Sequence, residues 1–328
     1  MLNVDIFFPN HSFGLLNDAQ VIAKNAKALF GENINFRFVK IPIRDFETEK
    51  PSINLSEIIR EPGDLAILVE RIICDDFLFR YKEKILLINP EWFRKHEIEQ
   101  SSKYIDTILF KSKSDFERLK KVIKINCKYL GFTSTDPIRT VSSYEEFGHY
   151  RGKNPARITQ PLIDIWLKHS EWPSLSIQSF GFGAEIGIPE WVNHKNLRIF
   201  YGMRNFNEHL DDASRTGVHI CTTHSEGFGH FINEAKAMSA LVITMDAPPM
   251  NELVDESNGI LIPIKEQKKQ YAGFWYEADR NEIEKAIFKC LSLPISTREK
   301  MGQLARESFV SDRNLFLQNL KKFFEERL

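Results

Sequence analysis

Short runs rich in Val, Ile, Leu and Phe alternate with longer stretches whose apolar residues recur at helical spacing, the pattern of parallel sheets wound with helices. In the first half these runs predict strands at about 4–9, 35–41, 65–70, 84–89, 105–110 and 127–130. The clearest helix runs from Asn17 to Phe30, with Ile22, Ala26, Leu29 and Phe30 on one face and Lys24 and Lys27 on the other. The polar run Thr133-Ser134-Thr135-Asp136-Pro137 breaks the alternation and predicts a linker. Beyond it, strands are expected near 145–149, 175–180, 197–201, 218–222, 241–245 and 259–262, and helices near 158–169, 207–215, 230–239 and 250–255. The C-terminal stretch reads as helix with no further strand. The expectation is an α/β chain of two doubly wound parallel-sheet domains facing across a cleft, with ligands at the C-terminal edges of the strands.

Composition narrows this picture. The 328 residues suffice for two cores, and 42% hydrophobic with 27% charged residues is a soluble globular mix. Lys and Arg number 44 against 45 Asp and Glu, so the net charge of −1 carries no footprint for nucleic acid. Cys74, Cys127, Cys221 and Cys290 are far apart and form no C-x-x-C pair, which suggests reduced thiols and a reducing, cytoplasmic compartment. The start, Val4-Asp5-Ile6-Phe7-Phe8-Pro9, reads as a strand rather than a leader, and no apolar run approaches the roughly 20 residues of a membrane span. The stretch holding Lys111, Lys113, Arg118, Lys120, Lys121, Lys124 and Lys128 reads as a basic amphipathic helix, either a solvated face or a peripheral anchor on an anionic membrane surface.

The chemistry concentrates between Val218 and Pro263. A strand passes through the loop Thr223-His224-Ser225-Glu226-Gly227-Phe228-Gly229 into a helix from His230, and a second strand follows at Leu241 to Met245. Gly227 and Gly229 allow a ligand close to the backbone. The helix start offers N–H groups and a positive dipole end to phosphate. Glu226 stands at the strand edge, where a carboxylate accepts from sugar hydroxyls, and Glu234 follows eight residues later, placed for the adjacent hydroxyls of a ribose. A hydrogen bond to a charged group is worth about 1.5–3 kcal/mol, so two such acids would hold a sugar nucleotide at both ends. Each residue taken singly also has a bland explanation. The dipole alone favours acids near a helix start by about 0.3–1 kcal/mol, and glycine is routine in such loops. The ordered combination is what points to a ligand. His219, His224 and His230 fall on a strand, a loop and a helix, so their spacing is not that of metal ligands.

Ser225-Glu226-Gly227-Phe228-Gly229-His230 followed by Asn233-Glu234-Ala235 resembles the E-x7-E signature of the retaining glycosyltransferases of family 4, whose fold, GT-B, pairs two Rossmann-like domains. The resemblance extends through Val242-Ile243 and Pro248-Pro249-Met250-Asn251-Glu252 to Gly259-Ile260-Leu261. Upstream it takes in Gly131-Phe132-Thr133-Ser134 and Gly152-Lys153-Asn154 with Arg157 and Thr159. It covers most of the second domain and matches the first loosely.

The resemblance implies an acceptor-side domain over residues 1–135, a donor domain over 136–312, and a helix over 313–328 that packs back on the first domain. It implies transfer of a hexosyl unit, with retention, from a nucleotide sugar, UDP-linked by preference. The acceptor would be a carbohydrate, lipid-linked or protein hydroxyl, and neither metal nor other cofactor is expected. Glu226 would lie by the donor sugar and Glu234 at the ribose, with Gly227, Phe228, Gly229 and His230 around the sugar and phosphates. Lys153 and Arg157 would hold the diphosphate and offset its charge as it leaves, which makes Lys153 and Glu226 the catalytic candidates. Arg157 stands where many members carry lysine. Gly14, in the turn Pro9-Asn10-His11-Ser12-Phe13-Gly14, resembles the first-domain glycine that faces the donor phosphates, and Asn89-Pro90-Glu91-Trp92 is a candidate lining for the acceptor pocket. Two rivals remain: a non-catalytic nucleotide-sugar-binding module on this scaffold, and a sugar-nucleotide epimerase or hydrolase of the same fold.

Overall fold

The computed structural model describes residues 1–9, 13–42, 54–94, 97, 102–152, 154, 156–179, 194–202 and 204–328. They form two compact units. Met1–Thr133, Lys269–Phe274 and Asp312–Leu328 make the first; Ser134–Lys268 and Trp275–Ser311 make the second.

The first unit is built on six strands, β1 (Leu2–Pro9), β2 (Ile34–Ile41), β3 (Leu65–Val69), β4 (Glu83–Leu87), β5 (Thr107–Phe110) and β6 (Asn126–Tyr129). They lie side by side in the order β2-β1-β3-β4-β5-β6, all parallel. The second unit carries β7 (Phe147–Gly152), β8 (Leu175–Ser179), β9 (Leu197–Tyr201), β10 (Val218–Cys221), β11 (Leu241–Met245) and β12 (Gly259–Ile262). Their order is β12-β11-β10-β7-β8-β9, again all parallel. Central strands such as Leu65–Val69 and Leu241–Met245 are buried at every residue. That burial is why they read as unbroken apolar runs rather than alternating ones, as expected where helices cover both faces of a parallel sheet.

The structure amends three expectations. The first helix spans Phe13–Phe30 and buries Leu15, Ala19, Ile22 and Ala26, whereas Leu29 is 38% exposed. The basic stretch is not one helix. Only Lys113–Leu119 is α-helical, Lys111 is buried in an ion pair with Asp18 at 2.7 Å, and Lys128 lies on β6, paired with Glu326. A two-stranded sheet of β13 (Glu266–Gln270) and β14 (Gly273–Glu277) follows β12, where no strand was expected. Its segment Glu266-Gln267-Lys268-Lys269-Gln270 is polar throughout, so period-two hydrophobicity gives no signal there. Among the described residues no helix is long and apolar enough to cross a membrane.

A 31-residue helix, Ile295–Glu325, ends the chain. Within the second unit its Arg306 holds Asp136 in a two-pronged ion pair at 2.9 and 2.7 Å, so the polar run at 133–137 is pinned rather than loose. Gly302 of the same helix lies against Ser239: a Cβ there would fall on the Ser239 carbonyl oxygen and 2.6 Å from the Tyr144 hydroxyl, which itself donates to that carbonyl. Backbone cannot swing aside as a side chain can, so Gly302→Ala is expected to destabilise the protein by about 1–3 kcal/mol. A lowered urea midpoint at unchanged slope checks this.

Candidate functional site

In the second unit the strand order reverses between β7 and β10. These neighbours pair only through Phe147 with Val218 and Gly148 with His219, then part, opening the crevice where doubly wound sheets hold ligands. The chain that leaves β7 returns alongside the chain that leaves β10. Arg157 and Thr223 form an antiparallel bridge. Around it, the Ile158 N–H donates to the Thr222 carbonyl at 3.2 Å and the His224 N–H to the Ala156 carbonyl at 2.7 Å. Asn154 turns this segment, its side-chain oxygen accepting from the Ala156 N–H at 2.9 Å. Lys153 lies outside the described residues.

The bridge sets Arg157 beside Glu226. Nη1 of Arg157 donates to Oε1 of Glu226, and the same oxygen accepts from the Thr223 hydroxyl at 3.0 Å. The guanidinium lies 3.3 Å from the centroid of the Phe231 ring, and the Arg157 and Glu226 side chains are 9% and 8% exposed. Burial pulls the Arg157 guanidinium down from its ordinary value, to about 9, while Glu234 acts in the opposite sense. It still carries its charge at neutral pH. Arg157 Nε is buried with no hydrogen-bond partner among the described residues. The arginine expected at a diphosphate is thus engaged with the first of the two signature acids.

The loop between them does what its glycines require. Gly229 has φ +100°, a left-handed conformation that strains any other residue, and its carbonyl accepts from Ile232 and Asn233 N–H to start the helix His230–Ala237. Phe228 is buried, with its ring edge-on to His230 at 5.3 Å. His230 Nδ1 stands 2.7 Å from the Ser134 hydroxyl. Gly227 is buried beside them.

On this helix Glu234 lines a small pocket, with room for about one water, together with Tyr150, His209, His219, Cys221 and Phe231. His219 is a packed strand residue, its Nε2–H donating to the Ala213 and Thr216 carbonyls at 3.0 and 3.1 Å. His149, one residue from Tyr150, bridges the Ile220 carbonyl and the Thr159 hydroxyl. Burial pushes both imidazoles down to about 4, so they are neutral and structural at physiological pH. Burial also raises the Cys221 thiol, which removes it as a nucleophile. His209 is different: it is partly exposed in the pocket, Nδ1 meets Gln178 Oε1 at 2.8 Å, and Nε2 stands 3.9 Å from Glu234 Oε2.

Sequence reasoning misses Tyr150, Gln178 and His209. They come from β7, β8 and the helix Phe206–Ala213, so no local spacing unites them. The one usable signal is that Tyr150 and Gln178 sit near the C-terminal ends of strands flanking the switch point. Among the described residues no three His, Cys, Asp or Glu side chains converge as a metal site would require.

In the first unit Gly14 falls within the first turn of the Phe13–Phe30 helix and is exposed. Asn10, His11 and Ser12 of its turn lie outside the described residues. At the C-terminal ends of β3 and β4, Asn89 donates to Glu70 Oε2 at 2.8 Å, and Glu70 adopts φ +69°. Glu91, also buried, is pushed up to about 8 by burial and then by Glu70, so its carboxyl is largely protonated at pH 7. Asn89 Oδ1 and Glu91 Oε2 have no hydrogen-bond partner among the described residues. Trp92 packs 6.4 Å from the ring of Tyr271.

Comparison with solved structures matches the chain along its whole length. Sucrose-phosphate synthase from Thermosynechococcus elongatus is similar at a TM-score of 0.72 and 11% identity, over 99% of each chain. A glycosyltransferase from Rickettsia africae matches at 0.68 and 12%, over 99% of this chain and 98% of that one. Anabaena HepE, solved with UDP and glucose, matches at 0.66 and 11%, over 100% and 99%. The fold is GT-B. No protein-family model matches the chain, and no curated protein matches its sequence. At such identities the likeness carries the architecture, two Rossmann-like sheets, and leaves the roles of individual residues to the geometry above.

That geometry makes Arg157 and Glu226 an energetic unit. Removing one partner of a buried pair strands the other charge, so Arg157→Met is expected to cost about 3–5 kcal/mol. Arg157→Met combined with Glu226→Gln should recover most of that loss. Urea unfolding of the single and double variants checks both expectations.

Proposed function

We propose that this protein is a glycosyltransferase that moves a hexosyl unit from a nucleotide sugar, UDP-linked by preference, to a hydroxyl acceptor with retention of configuration. The observation that carries the reading is the segment Glu226 to Glu234. One acid lies at the mouth of the switch point, the left-handed Gly229 starts a helix between them, and the second acid lies in the adjoining pocket. The GT-B architecture supports it, as does HepE, a neighbour solved with UDP and glucose.

In this reading Glu234 accepts from the ribose hydroxyls. The start of the His230–Ala237 helix faces the diphosphate, where N–H groups and dipole favour the anion. Lys153 and Arg157 supply positive charge to that anion as it leaves, which stabilises the transition state more than the bound donor. Glu226 lies by the sugar and fixes Arg157. The bond from the anomeric carbon to the diphosphate oxygen breaks while a bond to the acceptor oxygen forms on the same face. The acceptor's proton passes to the departing phosphate, so no protein nucleophile is needed. The acceptor, a carbohydrate, lipid-linked or protein hydroxyl, belongs to the first unit.

Two variants test the assignment. Glu226→Ala should abolish sugar transfer while UDP still binds, measured by product formation beside calorimetry; unchanged turnover removes Glu226 from the site. Glu234→Ala should weaken UDP by about 1–3 kcal/mol, and equal affinity in the titration removes the ribose assignment.

A further inference from the structure

Resting on the reading of Glu234 as the ribose acid, we infer that His209 is its partner: the two side chains together grip a vicinal diol, and the pair makes the pocket selective for ribonucleotides over deoxyribonucleotides. Three observations converge. His209 and Glu234 line the same pocket, with side chains 21% and 11% exposed. Their facing atoms, Nε2 and Oε2, are 3.9 Å apart. That is too long for a direct hydrogen bond and short enough for adjacent hydroxyls to touch both. Third, the imidazole is held from behind: Nδ1 meets Gln178 Oε1 at 2.8 Å, and Tyr150 sets its ring 5.6 Å away at 85°.

Such a held ring is prepared for a partner on its Nε2 side. Gln178 is itself 3% exposed, and the three residues come from β8 and two different helices, so their alignment is a product of the fold and not of helix spacing. A hydroxyl both donates and accepts, whereas a carboxylate only accepts. One hydroxyl of the diol donates to Glu234. Its neighbour meets Nε2, donating to the neutral ring or accepting from the protonated one. A 2′- or 3′-deoxy sugar leaves one of the two contacts unmade.

The other groups around His209 do not duplicate it. Tyr150 directs its hydroxyl to the Asp212 carbonyl and Thr216, and His219 is spent on backbone carbonyls. Asp212, on the same helix, faces Arg204 and Arg215.

Calorimetric titration of the full chain with UDP, 2′-deoxy-UDP and 3′-deoxy-UDP tests the proposal. Wild type should bind UDP about five- to tenfold more tightly than at least one deoxy analogue. His209→Ala should erase most of that ratio for one analogue and keep the ratio for the other, which falls to Glu234→Ala. His209→Gln, which retains a polar reach from the same backbone, should restore part of the ratio. A purely structural role for His209 would weaken all three nucleotides equally, and that result overturns the proposal. Unchanged ratios in His209→Ala beside a weakened Glu234→Ala overturn it while leaving the ribose acid in place. If Glu234→Ala binds UDP as well as wild type does, the reading of Glu234 fails and the pair with it.

Discussion

Arg157 and Glu226 are buried opposite charges whose positions are set by a backbone bridge between two segments that leave neighbouring strands. Desolvating two such groups is costly, and the attraction between them offsets that cost only with good geometry and further hydrogen bonds. Here the Thr223 hydroxyl shares the carboxylate oxygen and the Phe231 ring faces the guanidinium. The pair therefore ties the loop after β10 to the segment after β7 and to the helix that carries Glu234. Arg157 Nε, buried and unpartnered among the described residues, shows that the network is not saturated from within the unit.

The sheet explains why the pair sits where it does. In the order β12-β11-β10-β7-β8-β9, successive connections run outward on both sides of β7 and β10. In doubly wound sheets the gap between two such strands at their C-terminal ends is where ligands bind. Loops from both sides can then converge without competing for the same space. The short pairing of β7 with β10 widens that gap, and Tyr150, Gln178 and His209 gather around it from separate elements. The histidines divide by environment. His149 and His219 are committed to backbone and hydroxyl groups in the core, while His209 keeps one nitrogen at the pocket surface.

The first unit shows a related economy at the ends of β3 and β4. Glu70, Asn89 and Glu91 are buried together, and burial holds Glu91 largely neutral at pH 7. Neutralisation lowers the cost of burying two acids close to each other. The left-handed backbone at Glu70 marks the same place as strained, a cost that neighbouring structure must sustain.

The sequence by itself determined the elements. Buried parallel strands must be apolar at nearly every residue, so Leu65–Val69, Val218–Cys221 and Leu241–Met245 stand out in any reading of the chain. The loop from Glu226 to Gly229 was legible for a related reason, since a left-handed helix start admits little but glycine. Where hydrophobicity is silent the reading failed: β13 is polar throughout, and the lysines from 111 to 128 divide among a buried ion pair, a short helix and a strand. Only the tertiary structure decided partners. Arg157 and Glu226 are separated by 69 residues, and His209 meets Gln178 across 31. Such contacts depend on which strands lie side by side, and strand order is set by packing of the whole sheet rather than by any local run of residues.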